Sequence, residues 1–150
     1  MPVSYKITGL DKVIARYKAM ADRLGPSKLA KQANVVSNKM FAGVMENFEK
    51  AVSPEGYKWE ALKPSTIARR RKGSSKPLQD TGMLRSSIQP KSEGTNSIVY
   101  TRMVYAAIQN YGGKAGRGRK ISIPKREFMG ISRERHENIL TYLMGYYSGN

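Results

Sequence analysis

The chain has 150 residues, with 27 basic against 11 acidic side chains, one histidine and no cysteine, for a net charge of +16. That length suits one domain, and the missing cysteines exclude disulfides, thiolate metal sites and a cysteine nucleophile. No apolar run reaches the roughly 18 residues of a membrane span, and the opening MPVSYKITGL has no signal-peptide core, so synthesis as a soluble cytoplasmic protein is expected. The apolar fraction is 39% and the mean hydropathy −0.56, values that suit a small core or one whose burial is completed by partners.

In chain order, residues 3–8 alternate as a short strand ended by Gly9. Asp11 can cap a helix running to Leu24, with Val13, Ile14, Tyr17, Met20 and Leu24 on one face. Gly25-Pro26 breaks it and starts another. There Leu29, Ala33, Val36, Met40, Val44 and Phe48 recur at helical spacing, widened by Phe41 and Met45, so a core helix of about 22 residues is predicted. Pro54 and Gly56 open a loop holding Trp59, the only tryptophan. Pro64-Ser65-Thr66 reads as a helix start leading into a short basic turn at residues 67–71. A second short element is expected over 78–84, where Thr81-Gly82 makes a sharp turn that aims Leu84 and Ile88 inward.

From Ser86 the period changes to two. Residues 87–91 and 97–103 form a hairpin across a polar turn at 92–96. A helical turn follows over 105–110, closed by Gly112-Gly113, and GGKAGRG reads as loop by its four glycines. Ile121 and Ile123 alternate in a last strand that Pro124 stops. Ser132 caps a final helix with Ile139, Leu140, Leu143, Met144 and Tyr147 inward. The predicted fold is α+β: N-terminal helices including one long core helix, a small antiparallel sheet, and a C-terminal helix packed on it. All 150 residues form one domain, with flexible basic loops near 63–77 and 112–120.

The positive charge is concentrated. Twelve of the 27 basic residues lie in two stretches without acids: Lys63, Arg69, Arg70, Arg71, Lys72 and Lys76, then Lys114, Arg117, Arg119, Lys120, Lys125 and Arg126. Such blocks repel internally and meet an anionic partner, phosphate or an acidic protein face, unless they serve solubility alone. For nucleic acid, no helix-turn-helix, zinc finger or aromatic stacking motif accompanies them, so sequence-specific reading is not expected. Non-specific contact with a phosphate backbone stays open.

Catalytic constellations are absent from the pattern. His136 lies between Arg135 and Glu137 with no partner set by spacing, and the carboxylates are scattered. GGKAGRGRK lacks the G-x-x-x-x-G-K-[ST] order of a phosphate loop. The expectation is a protein that is not an enzyme and uses no cofactor or metal.

Four small motifs stand in order: Pro54-x-Gly56-x-x-Trp59-x-x-Leu62; Leu78-x-x-Thr81-Gly82-x-Leu84-x-x-Ser87-Ile88; Tyr105-Ala106-x-Ile108-x-x-Tyr111-Gly112; and Ile123-Pro124-x-Arg126-x-Phe128-x-Gly130. From about Phe48 to Tyr142 the chain resembles the phage virion morphogenesis (tail completion) family of Mu-like and related contractile-tailed phages. One departure is Gln109, where that family often carries a histidine. The resemblance implies a structural virion protein at the head–tail junction, a tail completion, terminator or neck component that joins tails to heads. It also implies a ring of self-copies, commonly six, contacting head connector or adaptor proteins and tail tube or terminator proteins. Under that reading the docking candidates are Trp59, Arg69, Arg70, Arg71, Lys72, Lys114, Arg117, Arg119, Lys120, Arg126 and Phe128. Trp59 could equally be a lid over the domain's own core, and Arg126 and Phe128 an internal loop anchor. The alternative function is a non-specific DNA-binding prophage protein, with a small basic nuclease more distant.

Overall fold

In the computed structural model, residues 10–71 and 74–148 are described; the strand expected over 3–8 and Lys72 lie outside them. Two helices come first, α1 (Leu10–Arg23) and α2 (Pro26–Lys50). Pro26 occupies the first turn of α2, where its missing N–H would have no partner in any case. The helix ends at Ala51, which takes a left-handed conformation and donates its N–H to the Asn47 carbonyl. Pro54, three residues further on, cannot continue it.

The short helices α3 (Pro64–Ala68) and α4 (Met83–Ser86) follow. Gly82 supplies φ = 78° just before α4, a turn a β-carbon would strain, and both Leu84 and Ile88 are buried after it. The hairpin is present as β1 (Gln89–Glu93) and β2 (Asn96–Tyr100), antiparallel, with Gln89 opposite Tyr100 and Glu93 opposite Asn96. That register leaves only Gly94 and Thr95 in the connection, so the turn is tighter than the five-residue span expected. Pro90 sits in β1, which among the described residues has β2 as its single strand neighbour; an edge strand tolerates the missing donor.

Next come α5 (Ala106–Tyr111), β3 (Gly113–Ala115), a 3-10 turn at Arg117–Arg119, β4 (Ile121–Ile123) and α6 (Arg133–Ser148). The glycine-rich segment was expected to be loop. It forms instead one arm of a second antiparallel pair, Gly113 opposite Ile123 and Ala115 opposite Ile121. Composition misled because these glycines shape a hairpin rather than dissolve one. At Gly112, φ is 72° and an added β-carbon would stand 2.9 Å from the Lys125 nitrogen and 3.1 Å from the Ile123 carbonyl oxygen.

The fold class is α+β, as predicted, with two small antiparallel sheets. The core gathers Val44, Phe48, Trp59, Leu84, Ile88, Ala106 and Phe128. Phe48 is fully buried, with its ring centroid 5.6 Å from Trp59, edge-on, and 5.1 Å from Phe128, arrangements that aromatic quadrupoles favour. The β1–β2 hairpin lies on α2, tied to it where the Ser97 hydroxyl donates to the Ala33 carbonyl at 2.8 Å.

The apolar face of α1 and part of the face expected inward on α6 turn out exposed. On α1, Val13, Ile14, Tyr17 and Met20, and Leu24 just beyond its end, are exposed, Tyr17 at 68%. On α6 only Ile139 is buried, while Leu140 and Met144 are exposed. The expectation set α6 across the sheet; it packs on α2 and α1, and its link to α2 is largely polar. Arg135 Nη2 meets Glu46 Oε2 at 2.5 Å, the Tyr142 hydroxyl donates to Gln32 Oε1 at 2.7 Å, and Lys39 Nζ lies 4.7 Å from the Tyr142 ring centre. Gly43 permits that approach, since a β-carbon there would come within 2.7 Å of Arg135 Cδ and 2.9 Å of Ile131 Cγ2.

Candidate functional site

The segment from Arg126 to Gly130 runs through the centre of the molecule, and three polar side chains hold it there. Asn110, at the buried side of α5, accepts from the backbone N–H of Phe128 at 3.0 Å and of Met129 at 2.9 Å through Oδ1. From α2, Asn47 Nδ2 donates to the carbonyls of Phe128 and Gly130 at 3.0 and 2.9 Å. Trp59 Nε1 donates to the Glu127 carbonyl at 3.0 Å. A buried segment without such partners would leave costly unmet groups; among the described residues no buried side-chain polar atom is unsatisfied. Sequence reasoning missed Asn47 and Asn110. The available signal was a polar residue on an otherwise apolar helix face.

Of the proposed docking residues, the structure therefore sets three inside the subunit: Trp59 is 8% exposed and Phe128 1%, both in the core, and Arg126 is 7% exposed. The Arg126 guanidinium donates through Nε and Nη2 to the Glu60 carbonyl at 3.1 and 3.0 Å. Burial pushes its pKa down; the Glu60 charge opposes that and the Arg70 charge adds to it. Arg69, Arg71, Lys114, Arg117, Arg119 and Lys120 are exposed. Arg70 is half-buried, with Nη1 donating to the carbonyls of Ser74 and Lys76 at 2.8 and 2.7 Å.

The two basic stretches, distant in sequence, meet across a cleft of about 400 Å³. Lys63, Thr66 and Arg70 border it from the first stretch, and β4, Pro124 and Arg126 from the second. Its floor is apolar, formed by Leu62, Leu78 and Leu84, and Glu60, Asp80 and Gln109 also reach it. His136 is remote from this lining, exposed on α6. What the cleft offers is fixed positive charge beside an apolar wall and a strand edge, an arrangement for binding. Among the described residues, no three histidine, aspartate or glutamate side chains converge as a metal site would need.

The model of the phage virion morphogenesis family matches residues 8–148. A relative from Haemophilus influenzae, Mu-like prophage FluMu G protein 2, is 37% identical over 112 residues, covering 75% of this chain and 73% of the relative. No solved structure matches.

Proposed function

The chain belongs to the phage virion morphogenesis family, and within that role we propose that it acts at the head–tail junction, as a tail completion, terminator or neck protein needed to join tails to heads. The observation that carries the reading is a family match over nearly the whole chain on a subunit whose described residues leave apolar side chains exposed at α1 and α6. Large apolar side chains clustered on one side of a strongly charged protein mark a surface meant for contact. Copies of the same chain, arranged as a ring of six, cover that side; connector or adaptor proteins meet the ring on the head side, and tube or terminator proteins on the tail side. The protein works without catalysis, as a virion component at that junction.

The exposed cations Arg69, Arg71, Lys114, Arg117, Arg119 and Lys120 then face acidic protein surfaces. A channel lined with so much positive charge would retard a passing genome, so most of it belongs at protein contacts, with non-specific DNA contact secondary. On this reading the arm at 112–120 orders fully on assembly: trypsin should cut it in the free subunit and spare it in the particle.

The test is particle morphology from a phage lacking the gene. The expected result is filled or fillable heads beside separate tails, or tails of abnormal length. Normal infectious particles would overturn the reading. The net charge of +16 favours one other reading, non-specific DNA binding, which salt-dependent DNA retention by the free protein together with normal particles would support.

A further inference from the structure

β4 has one strand neighbour, β3, among the described residues. Ile121, Ser122 and Ile123 all border the cleft, whereas no residue of β3 does. Successive strand residues point to opposite faces, so a space touched by all three runs along the edge of β4, on the side away from β3. Among the described residues, the main-chain groups on that side have no strand to pair with. Such an edge is a template for another extended chain.

The rest of the lining says what chain it would take. Leu62, Leu78 and Leu84 give the lining an apolar part, and Arg70 and Arg126 supply two cations to it. Both guanidiniums are fixed by backbone carbonyls, and among the described residues neither forms an ion pair. Two fixed like charges near each other and partly removed from water are relieved by an anion placed between them, and guanidinium forks take a carboxylate with particular strength. A nucleic-acid strand suits the cleft poorly. Glu60 and Asp80 share the lining and would repel a run of phosphates, while a strand edge offers nothing specific to bases.

We propose that this cleft binds an extended, largely uncharged segment of a partner protein, added as a strand to the free edge of β4, with its one carboxylate side chain seated on Arg70 and Arg126. Main-chain hydrogen bonds to β4 provide affinity, and alternate apolar side chains enter against Leu62, Leu78 and Leu84. The carboxylate sets the register. This cleft chemistry is the same wherever in the particle the protein sits.

The test uses the full chain and a capped, dye-labelled peptide alternating valine and threonine with one central glutamate, with a peptide carrying glutamine at that position and a thymidine oligonucleotide as comparisons. Anisotropy at physiological salt should show the glutamate peptide binding roughly tenfold or more tightly than the glutamine one. Hydrogen exchange at the amides of residues 121–123 should slow when it binds. Arg70→Gln should remove most of that preference while leaving the emission of buried Trp59 unchanged. Arg126→Gln risks releasing the Glu60 loop, so the half-buried Arg70 carries the test. Equal binding of the two peptides, unchanged exchange on β4, or a preference that survives Arg70→Gln would each overturn the proposal. So would an oligonucleotide that displaces the peptide and slows the same amides.

Discussion

Helices α1 and α2 carry apolar stripes of similar spacing and leave them in opposite circumstances. On α2, Val44 and Phe48 are buried in the core among Trp59, Leu84 and Phe128, and the helix also carries the β1–β2 hairpin. On α1, Val13, Ile14, Tyr17 and Met20 stand in solvent. Its packing neighbour α6 itself exposes Leu140 and Met144. The difference lies in opposing surface rather than in the helices. Three separate parts of the chain converge on α2, whereas among the described residues α1 packs chiefly on α6. A periodic stripe states that a face is to be covered; it does not say that the same chain covers it.

If α2 and the segment it embraces are the self-sufficient region, damage there should be severe. Phe128→Ala removes a fully buried ring between Phe48 and the α5 side and should cost about 3–5 kcal/mol, read as a lower urea midpoint. A loss no larger than that of a surface substitution would move the centre of the molecule elsewhere.

Asn110→Leu should come next. It deprives the Phe128 and Met129 N–H groups of their acceptor, for a loss of about 2–4 kcal/mol, and hydrogen exchange should rise first at those two amides. Retained protection there would mean that the segment is held by packing alone.

The seam between α2 and α6 should give a smaller, pH-dependent effect. Hydrogen bonds from Lys50 and then Arg135 hold the Glu46 carboxyl below its usual range. A depressed acid stabilises fully above its unfolded pKa and loses that contribution as pH falls through the folded one. The pair is substantially exposed, so its worth is on the order of 0.5 kcal/mol. Wild type and Glu46→Gln should differ by that much in urea midpoint at neutral pH and converge in acid. A gap that persists in acid would assign the effect to packing.

Smallest of all, for the isolated subunit, should be Tyr17→Ser combined with Met20→Ser. Both side chains are already in water, so stability should move by no more than about 0.5 kcal/mol. A loss like that of Phe128→Ala would mean that α1 is part of the core after all.

The sequence made much of the first region legible. The Phe48 stripe, the Thr81-Gly82 turn and the hairpin over 87–103 carried local signals, namely helical period, a turn glycine and a change of period to two. The second region was less legible: the stripe on α1 did not say what covers it, and on α6 Leu140 and Met144, expected inward, are exposed. Of the site, the basic residues were visible, but their meeting across a cleft was not, since the contact between the neighbourhoods of Arg70 and Arg126 depends on how the chain returns. Asn47 and Asn110 were passed over because a lone asparagine on a helix looks like surface until its partners, more than fifteen residues away, are known. The GGKAGRG stretch failed for the opposite reason: glycine content suggested a loop, and pairing with 121–123 overrode it.

We propose that one side of this subunit is finished by its own chain and the other by further copies. Sedimentation of the purified protein, alone and with the proposed connector and tail proteins, tests this most directly. A ring-sized species that Tyr17→Ser with Met20→Ser abolishes, while the subunit's urea midpoint stays in place, is the predicted result. A strict monomer that also fails to bind those partners, or a ring indifferent to the two substitutions, would contradict it.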